Sequence, residues 1–149
     1  MSTISFFVQG HPVGNPRVTP GRFRGQAFVP AAHPIHAWKK LIWATAVQNR
    51  PAAPFQGPVR VNLAFFFERP MGHFGRKKGV PYLKDSAPSW HIVKPDRDNL
   101  DKVVLDCLTR AGFWGDDCQV CWGEIEKRYV TFLGGKQAAS GVAIIIEQL

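Results

Sequence analysis

An amphipathic helix predicted over residues 98–111 constrains the fold more than any other segment of this chain. Its apolar side chains recur at three- and four-residue spacing, so they lie along one face that must be buried. They are Leu100, Val103, Val104, Cys107, Leu108 and Ala111. Gly112 follows the last of them and is the residue type that suits a C-terminal cap. The sequence therefore predicts a helix of defined length with one face packed on a core.

Strands and one further helix are predicted around this segment. Alternating apolar residues predict a strong strand over 59–68, with Val61, Leu63, Phe65 and Phe67 on one face. The other predictions are strands at 3–9, 26–29, 119–129 and 141–147, a helix at 33–50, a turn at 114–117, and irregular segments at 10–25, 70–93 and 134–140. A chain of 149 residues is most simply one domain. The order of elements predicts an α/β or α+β domain, with a small mixed sheet and two main helices.

Carboxylates are concentrated beside the helix at 98–111. Eight of the eleven acidic residues lie between Asp96 and Glu126, and none occurs before Glu68. Basic residues dominate the rest of the chain, which carries a net charge of +8 and has a pI near 9.8. Clustered carboxylates repel one another, and a bound divalent cation is the usual physical remedy. The distribution therefore suggests a metal site on a protein whose body binds a polyanion.

Basic residues are grouped in two of the irregular segments. They are Arg17, Arg22 and Arg24 in the first segment, Arg76, Lys77, Lys78 and Lys84 in the second, and Lys94 just after it. Phe74, Tyr82 and Trp90 interleave with the second group, which suits contacts to phosphates and unstacked bases. Nucleic acid is the commonest partner of such a basic chain. The alternative is a pair of solvated loops without a specific ligand.

Each acidic residue also has a purely structural interpretation. Asp98 or Asp101 could stabilise the start of the helix, where free backbone N–H groups and the helix dipole favour a carboxylate. The acidic pair at 116–117 could serve only to form a turn. Taken one at a time, these residues do not require a metal.

The acidic residues indicate a site when they are taken together. Asp96 stands two residues before Asp98, so both carboxylates can point into one pocket, and Lys102 lies one helical turn beyond Asp98. Asp106 continues that row, and an antiparallel return after the helix can bring the pair at 116–117 back towards it. Hard oxygen ligands suit Mg²⁺, and a nearby lysine can stabilise charge on a phosphate. The set predicts metal-assisted phosphodiester hydrolysis.

At these residues the chain resembles the RusA family of Holliday junction resolvases. The motifs that carry the resemblance read DRDNLDK at 96–102, DCL at 106–108 and FWGDDCQV at 113–120. The match is dense over residues 94–120 and looser elsewhere. An early basic loop followed by a helix, NPRVTPGRF and then AWKKLI, is also similar to phage-borne members.

The resemblance implies a small homodimeric endonuclease that cuts four-way DNA junctions by paired nicks, using Mg²⁺ or Mn²⁺. Carried onto this sequence, the residues essential in the family are Asp96, Asp98, Lys102 and Asp117, with the three aspartates holding the metal. Asp116 and Asp106 also match family positions and are expected to ligate or support. The segment at 70–93 is longer and more aromatic than in compact members, which bears on the choice of branched DNA.

Two other functions stay open from the sequence. One is a non-catalytic protein that binds branched DNA and uses its acidic residues only for caps and ion pairs. The other is a nuclease that acts on unbranched DNA or on RNA. His91, just before the acidic run, is either a general base or metal ligand, or a loop histidine without a catalytic role.

Location and assembly are the remaining expectations. An odd set of three cysteines and the lack of a long apolar run predict a cytoplasmic protein without membrane association. Trp38, Trp43 and Phe113 are candidates for exposed aromatic residues at a subunit interface.

Overall fold

A computed structural model describes residues 2–20 and 27–149, and it contains a five-stranded sheet packed with two helices. The helices are α1 (Ile35–Asn49) and α2 (Arg97–Ala111). The strands are β1 (Thr3–Gln9), β2 (Thr19–Pro20), β3 (Ala27–Phe28), β4 (Val59–Phe67), β5 (Phe74–Lys77), β6 (Val80–Leu83), β7 (Val120–Trp122), β8 (Ile125–Tyr129), β9 (Phe132–Leu133), β10 (Lys136–Gln137) and β11 (Gly141–Gln148). Neither helix in the described part of the chain is long and apolar enough to cross a membrane.

The main sheet is mixed, as the sequence predicts. Strand β11 lies between β1 and β4 and is antiparallel to both. Strand β4 pairs on its other side with β7 and then β8, and both of these pairings are parallel. Within the described residues, three further pairs of strands lie outside this sheet, namely β2 with β3, β5 with β6, and β9 with β10. The α+β class with two main helices is therefore confirmed.

One face of the sheet and the two helices form the core. Every second residue of β4 is buried, from Val59 to Phe67, because side chains alternate across a strand. The apolar face predicted for α2 is confirmed, since all six of its members are buried. Helix α2 packs against α1 and β8, and α1 packs against β1. Gly112 ends α2 in the left-handed conformation expected of a C-terminal glycine.

The aromatic residues predicted to be exposed candidates for a subunit interface fall into two groups. Trp38 and Phe113 are buried in the core, so the prediction is wrong for both. Trp38 lies on the buried stripe of α1, and Phe113 follows the cap of α2 and packs against Phe6 with ring centroids 6.0 Å apart. Trp43 is 49% exposed and is the member of the group that a ligand or partner can reach.

The strand predicted over 119–129 is two strands in the structure. Strand β7 ends at Trp122 and β8 begins at Ile125, and the register against β4 is the same on both sides of this break. A register shift lies within β7 itself, opposite Val59 and Arg60. Gly123 occupies the break with φ of 150°. The side chain of Asn62 accepts a hydrogen bond from the backbone N–H of Glu124 there, while the Glu124 carbonyl still accepts from the backbone N–H of Leu63.

The irregular segments hold more structure than the sequence predicts. Residues 70–93 contain the hairpin of β5 and β6, whose turn places Lys78 and Gly79 at φ of 52° and 77°. Two positive φ values in a two-residue turn match the twist of a hairpin, and the Lys-Gly pair is the sequence signal that could have revealed it. Residues 134–140 contain β10, which pairs with β9, and residues 10–25 contain β2.

Candidate functional site

The segment that leads to the acidic cluster is attached along β8. The backbone N–H of Tyr129 donates to the Ser89 carbonyl at 2.9 Å, and that of His91 donates to the Lys127 carbonyl at 3.0 Å. The ammonium of Lys127 then donates to the Val93 carbonyl at 2.6 Å. The chain therefore runs along the edge of β8 that faces away from β4 and reaches Asp96 at the start of α2.

Arg69 fixes the beginning of that segment. Its Nε donates to the Val130 carbonyl at 2.8 Å, and its Nη1 donates to the Pro88 carbonyl at 2.7 Å. Its guanidinium also lies over the ring of Tyr129 and is only 8% exposed. Sequence reasoning missed Arg69, because its partners lie 19 and 61 positions away and no local pattern reveals them.

His91 packs the middle of the segment onto the sheet. Its ring stacks on Phe67 with centroids 3.8 Å apart, and it meets the ring of Tyr129 at 5.0 Å. Burial, and after it the positive charge of Lys127, lower the pKa of His91 to about 4. The ring is therefore neutral at neutral pH and serves as packing in this structure.

The low pKa of His91 predicts a pH-dependent stability. Its folded pKa of about 4 lies below the ordinary value of 6.5, so the unfolded chain takes up the proton first as pH falls. We expect the free energy of unfolding to drop by about 2–3 kcal/mol between pH 6.5 and 4 from this residue. Urea unfolding at stepped pH measures the drop, and His91→Phe should remove that part of it. The exposed His36, changed to Gln, is the matched control and should leave the drop in place.

Helix α2 begins at Arg97, with Asp96 at the N-cap position and no hydrogen bond from an N–H to its side chain. Asp98 accepts a hydrogen bond from the backbone N–H of Asn99 at 3.0 Å, so one carboxylate oxygen stabilises the first turn. Asp96 instead lies 3.9 Å from the ammonium of Lys94, in an exposed pair. Helix capping therefore uses one carboxylate oxygen of Asp98 and neither oxygen of Asp96.

The early loop packs against the same end of α2. The backbone N–H of Asn15 donates to the Asn99 carbonyl at 3.0 Å. A Cβ on Gly14 would lie 2.8 Å from Pro95, so a glycine is needed for this approach. Arg17 stands two residues after Asn15 and is exposed. It therefore belongs to a segment that the Asn15 hydrogen bond anchors beside the acidic residues.

Asp101 joins the acidic cluster in a way that the sequence did not single out. Burial raises the pKa of this carboxyl, Arg97 opposes the rise, and the charges of Asp117 and Asp98 add to it. The structure thus brings Asp98, Asp101 and Asp117 into one electrostatic field. Sequence reasoning treated Asp101 only as a first-turn residue, although its place three positions after Asp98 put both on one side of the helix.

Asp116 and Asp117 differ in what their carboxylates do. Asp116 accepts a hydrogen bond from the backbone N–H of Cys118 at 2.9 Å, and it forms a reciprocal capping box with Gln119. That backbone N–H holds the pKa of Asp116 below its usual range. Asp116 is therefore committed to the turn, whereas the carboxylate of Asp117 acts on the field around Asp101.

A cleft of about 390 Å³ lies between the end of α2 and this turn. Its acidic wall contains Asp106, Asp116 and Asp117, because the turn after Gly112 packs beside α2. Lys102 lies 3.4 Å from Asp106 in an exposed pair one helical turn apart. In the structure Lys102 pairs with Asp106, whereas the sequence predicted that Lys102 would lie above Asp98.

The carboxylates do not form an assembled metal site. Among the described residues, no three His, Cys, Asp or Glu side chains are close enough to hold an ion. Their chemistry nevertheless suits a hard divalent cation, since they are oxygen donors that repel one another around Asp101. The ion pair of Asp96 is exposed, and such pairs contribute only about 0–1 kcal/mol, so this carboxylate can be redirected at little cost.

A family model described as Endodeoxyribonuclease RusA matches residues 9–138. This chain belongs to the RusA family. It is 27% identical over 86 residues to a crossover junction endodeoxyribonuclease of Lactococcus phage r1t, a match that covers 56% of each chain. It is 53% identical over 36 residues to the proteins of that name in Escherichia coli K12 and Enterobacteria phage 82, which covers 24% of this chain and 30% of theirs. The matches thus span about half, or less, of these relatives.

Several basic residues of this RusA-family chain are presented on the β5–β6 hairpin. Arg76, Lys77 and Lys78 lie at its turn and are exposed, and Arg76 donates to the Gly79 carbonyl at 2.9 Å. Lys84 follows β6 and is anchored by its backbone N–H to the His73 carbonyl. Arg22 and Arg24 lie outside the described residues.

Proposed function

We propose that this protein is a divalent-metal-dependent endodeoxyribonuclease that resolves four-way DNA junctions by paired nicks. The observation that carries the proposal is the match to the RusA family over residues 9–138, and a cleft lined by Asp106, Asp116 and Asp117 on a chain of net charge +8 supports it. A binding module has no use for clustered carboxylates beside an anionic ligand, since they would repel it. The names of the matched relatives supply the junction as the branched substrate.

Asp96, Asp98 and Asp117 are the proposed metal ligands. Mg²⁺ is the expected ion and Mn²⁺ a substitute, because both take oxygen ligands. Asp98 and Asp117 already act on the same neighbour, Asp101, and Asp96 stands two residues before Asp98 and is exposed. A bound divalent ion would supply Lewis acidity and an activated water for attack on phosphorus.

The other residues of the cluster have supporting roles in this proposal. Lys102 offsets negative charge that develops on the phosphate, and Asp106 holds its ammonium through the 3.4 Å pair. Asp116 holds the turn that presents Asp117, through the N–H of Cys118. Asp101 adds negative potential, which strengthens cation binding without requiring direct contact.

DNA would be held by the basic residues outside the cluster. The proposed contacts are Arg17, Arg22, Arg24, Arg76, Lys77, Lys78, Lys84 and Lys94. Arg17 and Lys94 belong to segments that meet at the start of α2, so they suit phosphates next to the cut. The hairpin residues suit a more distant arm of the substrate.

A homodimer would explain paired nicks. A twofold pair of sites matches the near-twofold symmetry of a four-way junction, so each protomer could cut one strand. The three cysteines of this chain are free, which suits a reducing, cytoplasmic location. Sedimentation of the protein with and without a junction would establish the copy number.

Cleavage of a labelled four-way junction, beside a linear duplex of matched sequence, tests the proposed function. We expect symmetric nicks on the junction in Mg²⁺ or Mn²⁺, no cutting in EDTA, and recovery when metal is restored. Tight junction binding without cutting in any divalent metal would instead support a non-catalytic binding protein. Equal cutting of the duplex would support a nuclease without junction selectivity.

A further inference from the structure

We propose that a basic groove between α1 and α2 binds the DNA strand that flanks the cut phosphate, with Lys39, Lys40 and Arg110 on phosphates and Trp43 against an unstacked base. This proposal rests on the proposed function, and it assigns DNA contacts to residues outside the two basic loops. The groove is defined by those four residues and by Cys107 at its floor.

The groove is continuous with the acidic cluster. A cavity of about 500 Å³ is lined by Lys39, Lys40, Trp43, Cys107 and Arg110. The cleft of about 390 Å³ that contains Asp106, Asp116 and Asp117 shares Lys39, Cys107 and Arg110 with it. One open path therefore leads from the carboxylates to Trp43.

Contacts between the two helices fix the floor of this path. The thiol of Cys107 is buried and donates to the Lys39 carbonyl, with the two atoms 3.8 Å apart. Burial raises the pKa of this thiol to about 11, while the charges of Lys39 and Arg110 oppose the rise. Lys39 and Arg110 thus both lie beside the neutral thiol of Cys107, where α1 packs against α2.

The charges of the groove complement a phosphodiester strand. None of its three cations takes part in the salt bridges found among the described residues. Their neighbours at one end are three carboxylates, which would repel DNA unless cations lay beside them. Lys39 and Trp43 are one helical turn apart on α1, roughly 6 Å along its axis, so a phosphate on Lys39 lies close to a base on Trp43.

Trp43 adds an exposed aromatic ring to the basic groove. It is 49% exposed on a helix whose other tryptophan is buried, and it stands beside Lys39 and Lys40. An exposed indole beside ammonium groups suits a base whose phosphates lie on those groups. Base pairs at a crossover can open and expose unstacked bases, which a continuous duplex does not offer.

Junction binding by Asp98→Asn protein, followed by fluorescence anisotropy over a range of salt, tests the groove without any cutting. We expect Lys40→Ala and Arg110→Ala each to reduce the slope of log K against log salt by about 0.7–0.9. Arg50→Ala removes the same charge just beyond α1, outside the groove, and should leave the slope nearly unchanged. Trp43→Ala should weaken binding roughly 5- to 150-fold with little change of slope, and Trp43→Phe should restore most of it.

Photocrosslinking locates the contact. A single 5-iododeoxyuridine is placed in turn at each position around the crossover, and the joined peptide is identified by mass spectrometry. A crosslink to Trp43 from a position next to the nick supports the groove.

Three results would overturn this inference. They are groove variants that behave like Arg50→Ala, a crosslink pattern that avoids α1, and a Trp43→Ala protein that changes from dimer to monomer in sedimentation. Failure of the proposed function looks different: the wild-type protein would not cut, while the groove variants would still lose binding.

Discussion

Asp98→Asn is expected to abolish junction cutting while junction binding stays the same or becomes tighter. Residues that merely support metal ligands change affinity or activity by roughly 10- to 100-fold, so loss of a ligand should exceed that range. Asparagine has the same shape and can still accept the N–H of Asn99, so the start of α2 should persist. Binding is retained because the substitution removes a negative charge next to an anionic ligand.

Single-turnover cleavage measures the cutting rate of Asp98→Asn, and fluorescence anisotropy on the same junction measures its binding. Asp85→Asn is the matched control, because Asp85 is an exposed carboxylate in the segment outside the cluster. It should cut like the wild type. Cleavage by Asp98→Asn at the wild-type rate would show that the proposed ligand set is wrong.

Gly123→Ala is expected to cause the largest loss of stability among single substitutions of glycine. A Cβ at this position would overlap the carbonyl oxygen of Val61, which is backbone and cannot rotate away. The φ of 150° is also one that residues with a side chain rarely adopt. We expect unfolding to become easier by about 2–5 kcal/mol, because the break between β7 and β8 must open.

Thermal unfolding of three Gly→Ala variants separates the cost of steric overlap by the new Cβ from the cost of an unfavourable φ. Gly72→Ala has open space and an ordinary φ, so it should be nearly neutral. Gly57→Ala has open space but a φ of 76°, so it should cost about 1 kcal/mol. Gly123→Ala should lower the melting temperature by about 5–15 °C. A Gly123→Ala protein as stable as Gly72→Ala would contradict the structure of the break.

Local signals in the sequence were enough to predict several elements of the fold. The buried faces of α2 and β4 follow from periods of 3.6 and 2, because each residue's side depends only on its place in the element. The helix end at Gly112 is local in the same sense, and so is the concentration of acidic residues between Asp96 and Asp117. These signals predicted a two-helix mixed sheet and placed the candidate site.

Tertiary structure alone decided how that site is supported and what surrounds it. Arg69 holds carbonyls at Val130 and Pro88, and Gly123 lies against Val61, contacts between residues far apart in sequence. Trp43 lies off the buried stripe of α1, yet only the packing of α1 against α2 places it beside Cys107 and Arg110. The charge of Asp117 acts on Asp101 only because the turn at 116–117 returns beside α2. Such contacts depend on the distances between elements after they pack, and periodicity within one element carries no information about those distances.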